Sequence, residues 1–151
     1  MKTFQAEIVR REAQTVFGVQ KTSGDKRQRT DVPMMIRLYA RLTGKDPAAL
    51  LPLYAVSWGF DKPGVFTLFV GGSAEADGLN ELRLPAGEWL RVEIRPFLSH
   101  FWSGNLHKAR QWFYGCWLAQ NGYEAMGLEC EVRTENKGVR ELLFSIRKRG
   151  K

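Results

Sequence analysis

Leu128-Glu129-Cys130-Glu131-Val132-Arg133-Thr134, then the turn residues Asn136-Lys137-Gly138, then Glu141-Leu142-Leu143-Phe144-Ser145-Ile146: this stretch decides the architecture. Two short runs mixing apolar and polar residues around an Asn-x-Gly turn read as a β-hairpin. Successive strand residues point to opposite faces, so each run can be sorted. Cys130 and Val132 share one face and Glu129, Glu131 and Arg133 the other; Leu142, Phe144 and Ile146 oppose Glu141, Leu143 and Ser145. The apolar sets suit packing beneath helices, which leaves Glu131 and Glu141 on the face away from the helical layer.

Before this hairpin, Asn105 can cap a helix whose apolar stripe is Leu106, Ala109, Phe113, Cys116 and Trp117, stopped by Asn121-Gly122. Earlier still, Leu82 to Leu84 and Leu90 to Ile94 form one strand kinked at Pro85-Ala86-Gly87. The same order occurs in the first half. Phe4 to Val19 reads as a strand with a bulge or bend at Gly18, and the charged stretch Lys21 to Thr30 as a loop. Asp31 can cap a helix carrying Pro33 in its first turn and Met35, Leu38, Tyr39 and Leu42 as its stripe, ended by Gly44. A short helical turn over Asp46 to Leu51 precedes a hairpin, Leu53 to Phe60 and Val65 to Val70, about Asp61-Lys62-Pro63-Gly64. The expected fold is α+β, with duplicated β-α-β-β units forming a pseudo-two-fold antiparallel sheet, two helices on one face and a ligand cleft on the other. A single domain is expected over 1–151, repeat one covering about 1–78 and repeat two about 79–151.

Composition agrees with one globular domain. A chain of 151 residues buries roughly 70% of its unfolded surface. With 44% hydrophobic and 26% charged residues, disordered, collagenous and coiled-coil classes are excluded. No apolar run approaches the roughly 20 residues that span a bilayer, and Glu7 arrives before any hydrophobic stretch develops. A cytoplasmic protein with no membrane partner is expected. Cys116 and Cys130 are too few for a disulfide framework and read as reduced, buried thiols; with His100 and His107 the only histidines, no metal or other cofactor is expected. The net charge of +7 is only partly gathered, at Lys21 to Arg29 and Arg147 to Lys151, read as a solvated loop and tail, while basic and acidic residues alternate between them. Five Trp, four Tyr and nine Phe exceed what a small core needs, so some are expected to line a cavity.

The first hairpin points to where. Tyr54, Val56, Trp58 and Phe60 alternate with small residues, while Phe66, Leu68 and Val70 alternate with Val65, Thr67 and Phe69, more apolar surface than two helices can cover. A hollow between the repeats, walled by aromatics and floored by carboxylates, accounts for both the aromatics and the acids. It would bind cations: each aromatic face contributes roughly 0.5–2 kcal/mol. A carboxylate about 5 Å away adds about 3 kcal/mol before desolvation. Glu131 and Glu141 are the candidate anchors, with Trp58, Trp102 and Tyr39 as candidate walls; Phe113 and Trp117 read as core.

Several motifs, weak singly but fairly specific in this order, resemble one family. Pro85-Ala86-Gly87-Glu88-Trp89 is similar to the "P-A-G-x-aromatic" strand of the GyrI-like, AraC-type effector-binding domains. Trp117-Leu118 ahead of Gly122-Tyr123 is similar to the exit of that family's second helix. Glu131-Val132-Arg133 falls where the family has "E-x-Y", and Glu141 to Ile146 where it has "E-I-Y-I-P-I". The resemblance covers nearly the whole chain and implies a small-molecule receptor fold that binds bulky aromatic cations between its repeats. It assigns ligand contact to Glu131, with Glu141 as the last-strand glutamate and Trp102 as the aromatic ahead of the second helix. Arg133 and Leu143 stand where the family has tyrosines, so the ligand-facing positions Arg133 and Leu143 lack hydroxyls, and Arg133 can pair with Glu131.

The function expected first is a stand-alone effector-binding domain for a bulky hydrophobic, cationic, drug-like compound, as in multidrug-responsive transcription regulation. No helix-turn-helix is seen ahead of the first strand, so operator binding is not expected and regulation would run through a protein partner. Two alternatives are a gyrase-inhibitor-like interaction protein and a hydrolase of reactive cyclopropane-type toxins. Binding is placed ahead of catalysis because the missing tyrosine removes a proton-transfer group.

Overall fold

The computed structural model describes residues 4–96 and 103–150. The elements run β1 (Ala6–Arg11), β2 (Gln14–Gly24), α1 (Gln28–Thr43), β3 (Leu53–Lys62), β4 (Val65–Gly72), β5 (Asn80–Leu84), β6 (Gly87–Ile94), α2 (Ser103–Trp112), β7 (Tyr123–Arg133) and β8 (Arg140–Lys148). The α2 helix continues through a π turn, Phe113–Trp117, into a last turn, Leu118–Asn121. Both helices stop where expected, at Gly44 (φ 68°) and Gly122 (φ 70°), left-handed positions that glycine adopts without a Cβ clash.

The strands form one antiparallel sheet in the order β1-β6-β8-β7-β3-β4-β2-β5. Read inwards from either end, the order is equivalent: β2-α1-β3-β4 and β6-α2-β7-β8 are related by a pseudo-two-fold between β3 and β7. The kinked strands explain the edges. Beyond Glu12 and Ala13 the chain passes from β1, on the edge of the second half, to β2 in the first. Beyond Pro85 it passes from β5, on the edge of the first half, to β6 in the second. The bend thus falls at Glu12-Ala13, not at Gly18, and β2 runs on through much of the expected loop to Gly24.

The fold is α+β, with both helices on one face of a curled sheet. Helix α1 covers the first half, where Val32 and Met35 meet Val19, Phe66, Leu68 and Val70. Helix α2 covers the second, where Leu106, Ala109, Phe113 and Trp117 meet Leu90, Val92, Leu142, Phe144 and Ile146. Phe113 stacks on Phe144 with centroids 3.9 Å apart. The α1 stripe differs from expectation: Val32, Met35, Tyr39 and Ala40 are buried, whereas Leu38 and Leu42 are exposed. Starting the helix at Gln28 brings Val32 into the inward stripe.

The other face is filled as well. Val16, Leu84 and Trp89 from the two ends of the sheet join Tyr54, Val56, Phe69, Cys130, Val132 and Leu143 from its middle in one buried cluster. The sheet curls around this second core. Cys130 and Val132 therefore pack away from the helices rather than beneath them. Paired positions across an antiparallel ladder share a face. Glu131 opposite Leu142 and Glu129 opposite Phe144 thus lie on the helix-bearing face, while Glu141 opposite Val132 lies on the other. Glu131 and Glu141 do not share a surface; parity sorted each strand, but could not say which apolar set faced the helices.

Candidate functional site

With α1 over β2 and β4 and α2 over β6 and β8, the central pair β3 and β7 is left without a helix above it. Its helix-facing row on β3 is Ala55, Ser57 and Gly59, too small to fill the space. A cleft of about 540 Å³ opens there, within the usual range for small-molecule sites. Ser57, Ala125, Gly127 and Glu129 form its floor. Asp25 and Gln28 line the α1 side; His107, Arg110, Gln111 and Tyr114 line the α2 side.

Two glycines complete it. Gly59 (φ 77°) interrupts the β3–β4 register, and Gly127 (φ 76°) interrupts β7–β8. A bulge reverses side-chain alternation. Phe60 accordingly leaves the face of Tyr54, Val56 and Trp58 and meets Phe66, ring centroids 5.5 Å apart, at the cleft. Phe60 and Tyr114 are among the exposed large side chains, so the cleft carries an apolar rim.

Glu129 is the acid of this site. It is 4% exposed, and its Oε1 accepts from Arg110 Nε at 2.6 Å while its Oε2 accepts from the Tyr114 hydroxyl at 2.8 Å. Although the Tyr114 ring is exposed at the rim, desolvation of its hydroxyl, followed by the adjacent Glu129 charge, raises its pKa above the ordinary value, so it remains a donor. Arg110 and Tyr114 stand four residues apart where α2 enters the π turn, one helical neighbour spacing, and the turn keeps Phe113 and Trp117 inward while Tyr114 reaches the rim.

The expected site residues are placed as follows. Glu131, also 4% exposed, is held by Arg140 Nη1 at 3.1 Å and Arg133 Nη2 at 3.9 Å, so the Glu131–Arg133 pairing expected from the sequence is present within a three-residue cluster. It does not line the cleft. Burial lowers the Arg140 pKa, against the pull of Glu131. Tyr39 is fully buried, its hydroxyl donating to the Ala74 carbonyl at 2.7 Å. Trp58 and Leu143 pack in or against the core of the opposite face. Glu141 lies on that face in a polar depression of about 300 Å³ with Glu7, Arg91 and Glu93, bound to Arg91 at 3.5 Å. Trp102 lies outside the described residues. Cys130 is buried, which pushes its thiol up to about 12, whereas Cys116 is half-buried rather than fully so.

Glu129, Arg110 and Tyr114 are thus cleft residues that sequence reasoning did not nominate, and Phe60 and Phe66 were named only within the first hairpin's excess apolar surface. The small-residue row of β3 was the signal. It marked the face with room, and pairing it with the carboxylate-bearing row of β7 would have put Glu129 inside.

No family model matches the sequence, and a search of curated proteins gives no match. Solved structures do resemble it. SAV2435 bound to tetraphenylphosphonium superposes with a TM-score of 0.67 at 12% identity, covering 95% of this chain and 94% of that one. The EcmrR C-terminal domain gives 0.65 at 13%, covering 97% and 99%. A candidate bacterial transcription regulation protein from Staphylococcus aureus MU50 gives 0.66 at 13%, covering 96% and 99%. At such identities the likeness is one of fold.

Proposed function

We propose that the chain is a receptor for a bulky, hydrophobic organic cation, acting as the effector-binding part of a drug-responsive regulatory system. The observation that carries this reading is the cleft between the helices: aromatic at Phe60, Phe66 and Tyr114, with a buried carboxylate in its floor. Its charge balance favours cations. Asp25 and Glu129 stand against the single guanidinium of Arg110, in a chain whose net charge is +7. Flat aromatic cations gain from the ring faces as well as from the acid. The resemblance to a tetraphenylphosphonium-bound protein supplies a probe.

Titration of the intact chain with tetraphenylphosphonium, followed by tryptophan fluorescence, tests this. Glu129→Gln is expected to weaken binding by about tenfold, or about 1.4 kcal/mol, whereas Glu131→Gln leaves the ligand-facing wall unaltered and is expected to change it less than threefold, about 0.7 kcal/mol. Equal binding by wild type and Glu129→Gln would refute the assignment.

One observation favours a second reading. Glu129 and Tyr114 form a carboxylate–phenol pair at the cleft, the tyrosine arriving from α2 rather than from β7, where Arg133 replaces it. A hydrolase of strained electrophiles could use such a pair for proton transfer. Turnover of a cyclopropane-containing substrate that Tyr114→Phe abolishes would support it; binding without turnover would exclude it for that substrate.

A further inference from the structure

Both carboxylate oxygens of Glu129 are already engaged within the protein. Arg110 occupies Oε1 and Tyr114 occupies Oε2. We propose that Arg110 is a resident counter-ion, displaced by a cationic ligand, and that it sets how strongly the cleft distinguishes a cation from a neutral molecule of the same shape. The inference rests on the receptor reading above and concerns the energetics of that same site.

Three features single out Arg110 as the partner that moves. Glu129 projects from the strand floor and its side chain is 5% exposed, whereas the Arg110 side chain is 25% exposed and has a route to water. On leaving, the guanidinium regains hydration on a long side chain with several rotamers; the carboxylate has no comparable path. Tyr114 holds the other oxygen independently, so the carboxylate keeps its orientation when Oε1 is vacated. Finally, a quaternary cation carries no N–H with which to share Oε1, and two positive groups at one carboxylate oppose each other. What the ligand gains from Glu129 is therefore partly offset by the Arg110 pair it breaks. The consequence is that with Arg110 in place the cleft responds to ligand charge less than its acids alone would give, and removing Arg110 sharpens that response.

The intact chain is titrated with tetraphenylphosphonium and with neutral triphenylphosphine oxide, as wild type, Arg110→Gln, Arg110→Lys and Arg110→Gln/Glu129→Gln. Arg110→Gln is expected to tighten the cation by about tenfold and to leave the neutral compound within about twofold. Arg110→Lys keeps a counter-ion and stays near wild type, and adding Glu129→Gln abolishes the gain, as a double-mutant cycle requires of coupled groups. Wild-type binding of the cation with no tightening in folded Arg110→Gln overturns the counter-ion proposal alone. Failure of wild type to bind either compound overturns the receptor reading and this proposal with it. Should Arg110→Gln not fold, nuclear magnetic resonance of the wild type decides. The Arg110 Nε–H signal is expected to shift or broaden at saturation with the cation and to persist with the neutral compound. A signal unchanged at cation saturation overturns the proposal.

Discussion

Asp31 sits in the first turn of α1 at 4% exposure, where Ser23 Oγ donates to it at 2.7 Å and Lys21 Nζ at 3.1 Å, with Arg27 Nε at 4.0 Å. The Ser23 hydrogen bond, then Lys21 and Arg27, outweigh burial and hold its carboxyl below the ordinary value. A depressed folded pKa means that its stabilisation is present above the unfolded carboxylate pKa and is lost as pH falls through the folded one. Asp31→Asn is expected to cost about 1–3 kcal/mol at neutral pH. It should also flatten the acid limb of stability below about pH 4, measured by urea unfolding across pH; an unchanged acid limb would remove Asp31 from this role. The residue read as a helix cap thus tethers α1, and with it the Gln28 side of the cleft, to the end of β2. Its sequence position showed a helix start, but only the strand running on to Gly24 reveals what it ties down. The acids followed the same pattern. Glu131 was legible as an acid of the last hairpin and was expected to anchor a ligand, yet its neighbours Arg133 and Arg140 occupy it, and the acid two residues earlier lines the open space.

At the scale of elements, close backbone approach constrains the β2–β4 ladder. Gly18 and Gly71 face each other in the β2–β4 ladder, and a Cβ on Gly71 would collide with the Phe17 carbonyl, one on Gly18 with that of Val70. Gly71→Ala should destabilise the fold by about 1–3 kcal/mol, seen as a lower denaturant midpoint; a neutral effect would show that the two strands can part. Strand and helix identity was readable from alternation and from stop signals such as Gly44 and Gly122, and the β-α-β-β order followed. Bulges were not. Whether Gly59 and Gly127 end a strand, bend it or reverse its faces depends on the partner register, which no single strand carries, and so Phe60 was assigned to the wrong side. The phase of α1 was missed for a related reason: Leu38 and Leu42 fit the helical spacing as well as Val32 does, and only the sheet beneath decides.

For the whole molecule, two cores on opposite faces of one curled sheet leave the free volume at the central strand pair, between the helices. A ligand there touches both halves, and binding only the folded state raises stability by mass action, by about 2.7 kcal/mol at a hundredfold excess over Kd. For a chain of 151 residues this corresponds to a rise in Tm of roughly 5–10 °C. Tetraphenylphosphonium should produce it in wild type and less of it in Glu129→Gln at the same concentration, read by differential scanning calorimetry; equal shifts would place the ligand elsewhere. The duplicated architecture was legible because it is written twice in the order of elements. The location of the hollow was not, because it depends on how far the sheet curls.

The crossing of β1 and β5 between the halves has a mechanical corollary. Each half lends its leading strand segment to the far margin of the other, so the two are laced together like clasped hands at the side remote from the cleft. Prising the helices apart to admit a guest would then pull on a shared seam, and the two repeats would yield together, as one spring, rather than swing as separate jaws.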